Sequence, residues 1–165
     1  MLIPGSFDPL HLGHLDVVDQ AVELFPASDV VVGVLVNFAK PSGMFSPDER
    51  VQLAEASLAG RPSVTVKAFG GLAVQAAADV GADCIVKGLR SAADYDIEQQ
   101  MALMNHSVTG VRTVFVPCRP EFGFVSSRFI REIAAHGESV AHLVAAPVAD
   151  ALADRFGRSA PGAHE

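Results

Sequence analysis

Ten consecutive residues, Gly5-Ser6-Phe7-Asp8-Pro9-Leu10-His11-Leu12-Gly13-His14, bring together two glycines, a hydroxyl, a carboxylate and two imidazoles. Gly5 permits close approach of backbone to a ligand. Gly13 lets a phosphate reach the start of a helix, where the positive end of the helix dipole favours an anion. His14 can donate ring hydrogen bonds to phosphate oxygens whose charge grows in a transition state, which makes it the candidate transition-state stabiliser. The spacing is neither G-x-G-x-x-G nor the Walker G-x-x-x-x-G-K pattern, so the dinucleotide turn and the P-loop ATPase both lose support. For His11, packing against the helix start is as good a reading as a ligand contact.

Further along, Lys40, Lys87 and Arg90 are cations placed just after, or at the ends of, apolar β-rich runs. Ser126-Ser127-Arg128 opens another helical stretch with hydroxyl donors. Taken singly, Lys40 and Lys87 read as solvated charges, Glu98 as a solvated helix face, Met101 and Met104 as core, and Ser126 and Ser127 as helix caps. Their order along the chain gives them weight.

The elements that must position these groups follow from hydrophobic periodicity. A short strand at Leu2-Ile3 precedes helical spacing at Leu15, Val18, Val22 and Phe25, and Val30 to Val36 reads as a strand covered on both faces. Ser46-Pro47-Asp48-Glu49 combines an N-cap serine, a proline at the first helical position and a glutamate three residues on, which predicts a helix to about Leu58. Strands are expected over 64–68, 83–87 and 112–116, and helices over 71–79, from Ser91 through Val108, from Ser126 or Ser127 to Ala135, and after Pro147. In the Ser91 helix, Ile97, Met101, Met104 and Val108 form the apolar stripe.

This alternation implies right-handed βαβ crossovers: an α/β class chain with a single Rossmann-like domain, a five-stranded mostly parallel sheet, helices on both faces and C-terminal helices. The domain is expected over 1–156, with 157–165 a polar, flexible tail. Ligands of such sheets bind beyond the carboxyl ends of the strands, the edge where Ser6, Lys40, Lys87 and Arg90 fall.

The chain has 165 residues, half of them hydrophobic, which fits one domain with its own core. A formal net charge of -7 argues against a broad grip on nucleic acid. No apolar run reaches the roughly 18 residues of a membrane span, and Met1-Leu2-Ile3 meets Pro4-Gly5 too early for a secretory signal, so a cytoplasmic protein is expected. Cys84 and Cys118 lack metal-ligand spacing and are expected to be buried thiols.

The first motif resembles the HxGH signature of the nucleotidyltransferase superfamily. Lys87-Gly88-Leu89-Arg90, Glu98, the Gln100 to Asn105 stretch and Phe124-Val125-Ser126-Ser127-Arg128, with Met44-Phe45 and Glu49-Arg50, resemble the pantetheine-phosphate adenylyltransferase family over residues 3–155. That resemblance implies reversible adenylyl transfer from ATP to 4'-phosphopantetheine, with Mg²⁺ accompanying the nucleotide, to give dephospho-coenzyme A and pyrophosphate. It also implies a homohexamer and feedback by coenzyme A.

By resemblance, His14, Lys40 and Arg90 are catalytic. ATP falls to Ser6, Phe7, His14, Gly88, Leu89, Arg90, Glu98 and the run Phe122, Gly123, Phe124, Val125, Ser126, Ser127 and Arg128. The acceptor falls to Ser6, Lys40, Ala73, Lys87, Met101 and Asn105. No protein metal ligand is assigned.

The sequence departs from the family pattern at His11, where threonine is usual, at Ile97, where tyrosine is usual, and at Arg128, often a third serine. The loop from Lys40 to Met44 is also one residue longer than usual. His11 and the Ser126 to Arg131 stretch fit a nicotinate or nicotinamide mononucleotide adenylyltransferase, which makes a dinucleotide cofactor. A noncatalytic nucleotide-binding module of the same fold is the remaining alternative.

Overall fold

The computed structural model describes residues 1–36 and 43–157. Lys40 and the tail residues 158–165 lie outside the described residues. The strands are β1 (Leu2–Gly5), β2 (Val30–Val36), β3 (Val64–Gly70), β4 (Cys84–Leu89) and β5 (Arg112–Pro117). The helices are α1 (Leu12–Leu24), α2 (Pro47–Ser57), α3 (Ala73–Asp79), α4 (Ala92–Thr109), α5 (Ser127–Ala135) and α6 (Ala146–Phe156). Two single 3₁₀ turns, Pro120–Phe122 and Ala141–Leu143, complete the described elements.

The sheet order is β3-β2-β1-β4-β5 and every pairing is parallel, a stricter result than the mostly parallel sheet expected. Strand alternation divides the core. Ile3, Val30, Val32, Val34, Val86 and Val116 pack beneath α1 and α2 through Leu15, Val18, Ala21, Ala54 and Leu58. On the opposite face Leu2 and Ile85 pack with Val74, Ala76 and Ala77 of α3. Both faces are therefore covered, which is why Val30 to Val36 carries almost no polar residue. Chain order reverses between β1 and β4, so a crevice opens there beyond their carboxyl ends.

A separate apolar cluster joins Phe45 to Val125, Ile130 and Ala134 around α5, and to Val140, Val144, Val148 and Leu152 further on. It fastens α5 and α6 to the start of α2, and so fixes where the α5 N-terminus meets the crevice. The capping of α2 is as expected: Glu49 N donates to Ser46 Oγ at 3.2 Å, and Ser46 N donates to the Glu49 carboxylate at 2.6 Å. Asp94 N likewise donates to Ser91 Oγ at the head of α4.

Three expectations need correction. Ile97, Met104 and Val108 are not core: they are 68%, 63% and 69% exposed, and α4 buries no residue completely within the chain. Cys84 and Cys118 are only partly buried, because each sits at an end of a strand or just beyond one, where the covering helices no longer close over it. Ser126 occupies the N-cap of α5 without a side-chain capping bond, and the Ser127 hydroxyl donates to the Pro9 carbonyl at 2.9 Å instead.

Candidate active site

The β1–α1 loop turns sharply at the mouth of the crevice. Phe7, buried among the core residues, has a φ of 45°, in the left-handed region that side chains rarely adopt. Such a conformation persists only where the surroundings hold it, and its usual setting is a functional site. Its ring meets the His14 ring edge-on at 5.0 Å between centroids.

His11 and His14 stack with centroids 3.6 Å apart and planes 20° from parallel. The His11 backbone N–H donates to His14 Nδ1 at 3.2 Å. With Nδ1 occupied as an acceptor, the single proton of a neutral His14 resides on Nε2, which fixes the tautomer that offers one donor to a ligand. Burial, and then the nearby His11, Arg90 and Lys87, hold the His14 pKa well below the usual imidazole value. Burial, and then Arg90, bring His11 down to about 4. Both rings are neutral donors at physiological pH.

Two cavities meet at this point. The smaller, about 440 Å³, is lined by Ser6, Phe7, His11, Gly13, His14, Gly88, Arg90, Cys118, Ser126, Ser127, Arg128 and Arg131, among others. The larger, about 700 Å³, runs beneath α3 and α4 past Leu35, Gly71, Leu72, Ala73, Met101, Ala102, Asn105 and Thr113. Pro4, Gly5, Ser6, Lys87 and Glu98 line both. At this shared wall Lys87 Nζ lies 3.1 Å from the Glu98 carboxylate. Glu98, expected on the nucleotide side, thus stands at the boundary, and Met101, read from periodicity alone as core, lines the larger cavity.

Arg90 is clamped. Its Nε and Nη2 donate to the Asp94 carboxylate at 3.0 and 3.3 Å, and its Nη1 donates to the Val125 carbonyl at 3.1 Å. Holding a planar guanidinium at three points leaves its charge facing the cavity in one orientation. Gly88 has a packing reason as well as a ligand-facing one, since a Cβ there would stand 2.5 Å from Val17 Cγ2 of α1.

Of the remaining residues assigned to ATP, Leu89, Phe122, Gly123, Phe124 and Val125 are not in the lining of the smaller cavity. Val125 is buried and contributes its carbonyl to Arg90, while Phe124 is 68% exposed. Thr113 and Leu72 line the larger cavity without having been singled out in the sequence, and Arg131, given only as the end of the Ser126 to Arg131 stretch, lines the smaller. Arg131 sits four residues after Ser127, on the same helix face, and that spacing is the one signal that could have found it.

Cys118 is the one thiol among the described residues of the lining. Burial first, then neighbouring Asp16, push its pKa up to about 11, so it stays protonated and is a poor nucleophile. Asp16 is itself buried, held by Gln20 Nε2 at 2.9 Å and by the Arg119 backbone N–H at 3.0 Å. Among the described residues no group of three or more His, Cys, Asp or Glu side chains could hold a metal ion. The set therefore offers positioned donors and cations for phosphates. It contains no activated protein nucleophile.

Comparison with known proteins agrees with this chemistry. Residues 2–133 match the Cytidylyltransferase-like family. A phosphopantetheine adenylyltransferase of Cutibacterium acnes is 45% identical over 152 residues, 92% of this chain and 95% of the relative. One of Streptomyces coelicolor is 43% identical over 153 residues, 93% of this chain and 94% of the relative. The chain belongs to the phosphopantetheine adenylyltransferase family. Family membership makes the two-cavity crevice the site to be explained. No helix among the described residues is long and apolar enough to cross a membrane.

Proposed function

We propose that this protein transfers an adenylyl group from ATP to 4'-phosphopantetheine, forming dephospho-coenzyme A and pyrophosphate in coenzyme A synthesis. The observation that carries the reading is the junction of a polar, cation-lined cavity with a larger one at a wall that includes Ser6, Lys87 and Glu98. Two phosphate-bearing substrates brought in from opposite sides would meet there. ATP takes the smaller cavity. The pantetheine arm takes the larger, against Ala73, Met101 and Asn105, and Lys87 exchanges Glu98 for the acceptor phosphate.

An oxygen of that phosphate attacks the α-phosphorus of ATP; a new phosphorus–oxygen bond forms as the bond to pyrophosphate breaks. The phosphate is already an anionic nucleophile at neutral pH, so the protein's contribution is alignment and charge stabilisation. His14 donates its Nε2 proton as a hydrogen bond to the oxygens where charge grows, and Arg90, with Lys40, neutralises the departing pyrophosphate. Mg²⁺ accompanying ATP would supply neutralisation of the triphosphate charge.

We further propose a homohexamer in the cytoplasm, as the family resemblance implies; the exposed apolar stripe of α4 supports self-association, with neighbouring copies covering Ile97, Met104 and Val108.

His14→Ala tests the mechanism. The variant is expected to lose kcat by about 10²–10³-fold while ATP affinity stays near wild type, because the donor acts mainly on charge that develops in the transition state. An unchanged kcat would remove His14 from the reaction.

A further inference from the structure

Asp16 lies on α1 two residues after His14, and its carboxylate is buried, a costly placement for a charge unless it is paired and hydrogen-bonded. One oxygen, Oδ2, accepts from Gln20 Nε2 at 2.9 Å and from the Arg119 backbone N–H at 3.0 Å. The other, Oδ1, lies 3.2 Å from Arg119 Nη1. Gln20, one turn further along the same helix face, also donates from Nε2 to the Pro117 carbonyl at 3.1 Å.

These bonds bracket Cys118. The residue before it is held through its carbonyl and the residue after it through its amide, both from α1, while the Cys118 N–H donates to the Leu89 carbonyl of β4 at 2.8 Å. Cys118 is thereby fixed in the lining of the smaller cavity, together with two other uncharged residues: Gly88 of β4, and Val17 of α1, whose Cγ2 a Cβ on Gly88 would meet at 2.5 Å. The cations of that cavity, such as Arg90 and Arg128, suit phosphates, and the wall of Val17, Gly88 and Cys118 suits the flat face of a nucleobase. Since α1 carries both His14 and Asp16, the bonds from Asp16 set how far that wall stands from the phosphate donors.

We infer that Asp16 is a positioning residue of the nucleotide cavity: it ties the wall at Cys118 to the helix that carries His14, so that the base and the phosphates of one ligand are held in register. The assignment of that cavity to ATP rests on the function proposed above. Asp16 touches no substrate itself.

Calorimetric titration with ATP and with inorganic tripolyphosphate, which has the phosphates and no base, tests this. Asp16→Asn keeps one carbonyl oxygen but sets an NH2 donor among the donors of Gln20 and Arg119, which breaks the tie. The ATP Kd is expected to rise about tenfold, while the tripolyphosphate Kd stays within about twofold of wild type. A general fold defect lowers the competent fraction for both ligands alike and leaves the ratio of the two Kd values unchanged. Equal weakening of both, an unchanged ATP Kd, or a wild type that binds neither ligand would overturn the inference.

Arg119→Met separates the backbone tie from the ion pair. The Arg119 amide survives in this variant, so its ATP Kd should stay within about twofold of wild type; a loss equal to that of Asp16→Asn would contradict the proposal. If Asp16→Asn does not fold, Gln20→Leu carries the test, because it removes the bond to the Pro117 carbonyl at a half-buried position. It is expected to weaken ATP about threefold with tripolyphosphate unchanged, and equal effects on the two ligands, or none, would sink the idea. Should wild type bind ATP yet fail to turn over with phosphopantetheine, the proposed function fails, and the ratio of the two Kd values still decides the role of Asp16.

Discussion

At the scale of single residues, the site works by fixing protons and charges before the ligand arrives. His14 is limited to one donor by the His11 amide on its Nδ1, and its neutral state is secured by burial and by the cations around it. His11 shares that environment, and its buried Nδ1 has no hydrogen-bond partner. This has a consequence for stability. The unfolded chain takes up a proton at His11 near the ordinary pKa of 6.5, whereas the folded chain does not until about pH 4. Acid therefore favours the unfolded state, and the contribution of a neutral His11, full above 6.5, is lost as pH falls towards 4. The amount at stake is on the order of 3 kcal/mol. Urea denaturation at a series of pH values should show wild type losing more stability between these limits than His11→Thr, which cannot titrate; parallel curves would contradict the assignment to His11.

At the scale of elements, two loops, after β1 and after β4, and the first turn of α5 converge on the point where strand order reverses. Gly88 shows how closely packing and function are joined there. Gly88→Ala would push a methyl group into Val17 of α1, the helix that carries His14, and is expected to cost about 1–3 kcal/mol by overpacking. The urea midpoint should fall accordingly, and a midpoint equal to wild type would show that α1 yields without cost. The strands and most helices were legible in the sequence because parallel strands buried on both faces are nearly uninterrupted in apolar residues, and because Ser46 and Ser91 mark their helix starts. The α4 stripe was misread for a physical reason: periodicity reports that a face is apolar and says nothing about what covers it. Arg131 lay within the Ser126 to Arg131 stretch, but its place in the cavity depends on the β1–α1 loop it bonds, at Asp8, 123 positions away. The turn at Pro120–Phe122 was missed because a single 3₁₀ turn has no periodicity to detect.

At the scale of the whole molecule, the carboxyl ends of the strands support two adjoining cavities beside one exposed apolar helix face. The α4 helix both lines the larger cavity at Met101 and presents Ile97, Met104 and Val108 outward, so the proposed assembly and the proposed acceptor site share one helix. If copies of the chain cover that face, Met104→Glu should move the protein from a hexamer to smaller species in sedimentation analysis; an unchanged distribution would place the contact elsewhere. The central claim concerns the acceptor, and here His11 leans toward a mononucleotide while the second cavity, about 700 Å³ and lined by Ala73, Met101 and Asn105, favours the pantetheine arm. Pyrophosphate release measured with ATP and Mg²⁺, once with 4'-phosphopantetheine and once with nicotinic acid mononucleotide, tests it most directly. Turnover with phosphopantetheine and none above background with the mononucleotide is the predicted result; turnover with the mononucleotide alone, or with neither, would contradict the account.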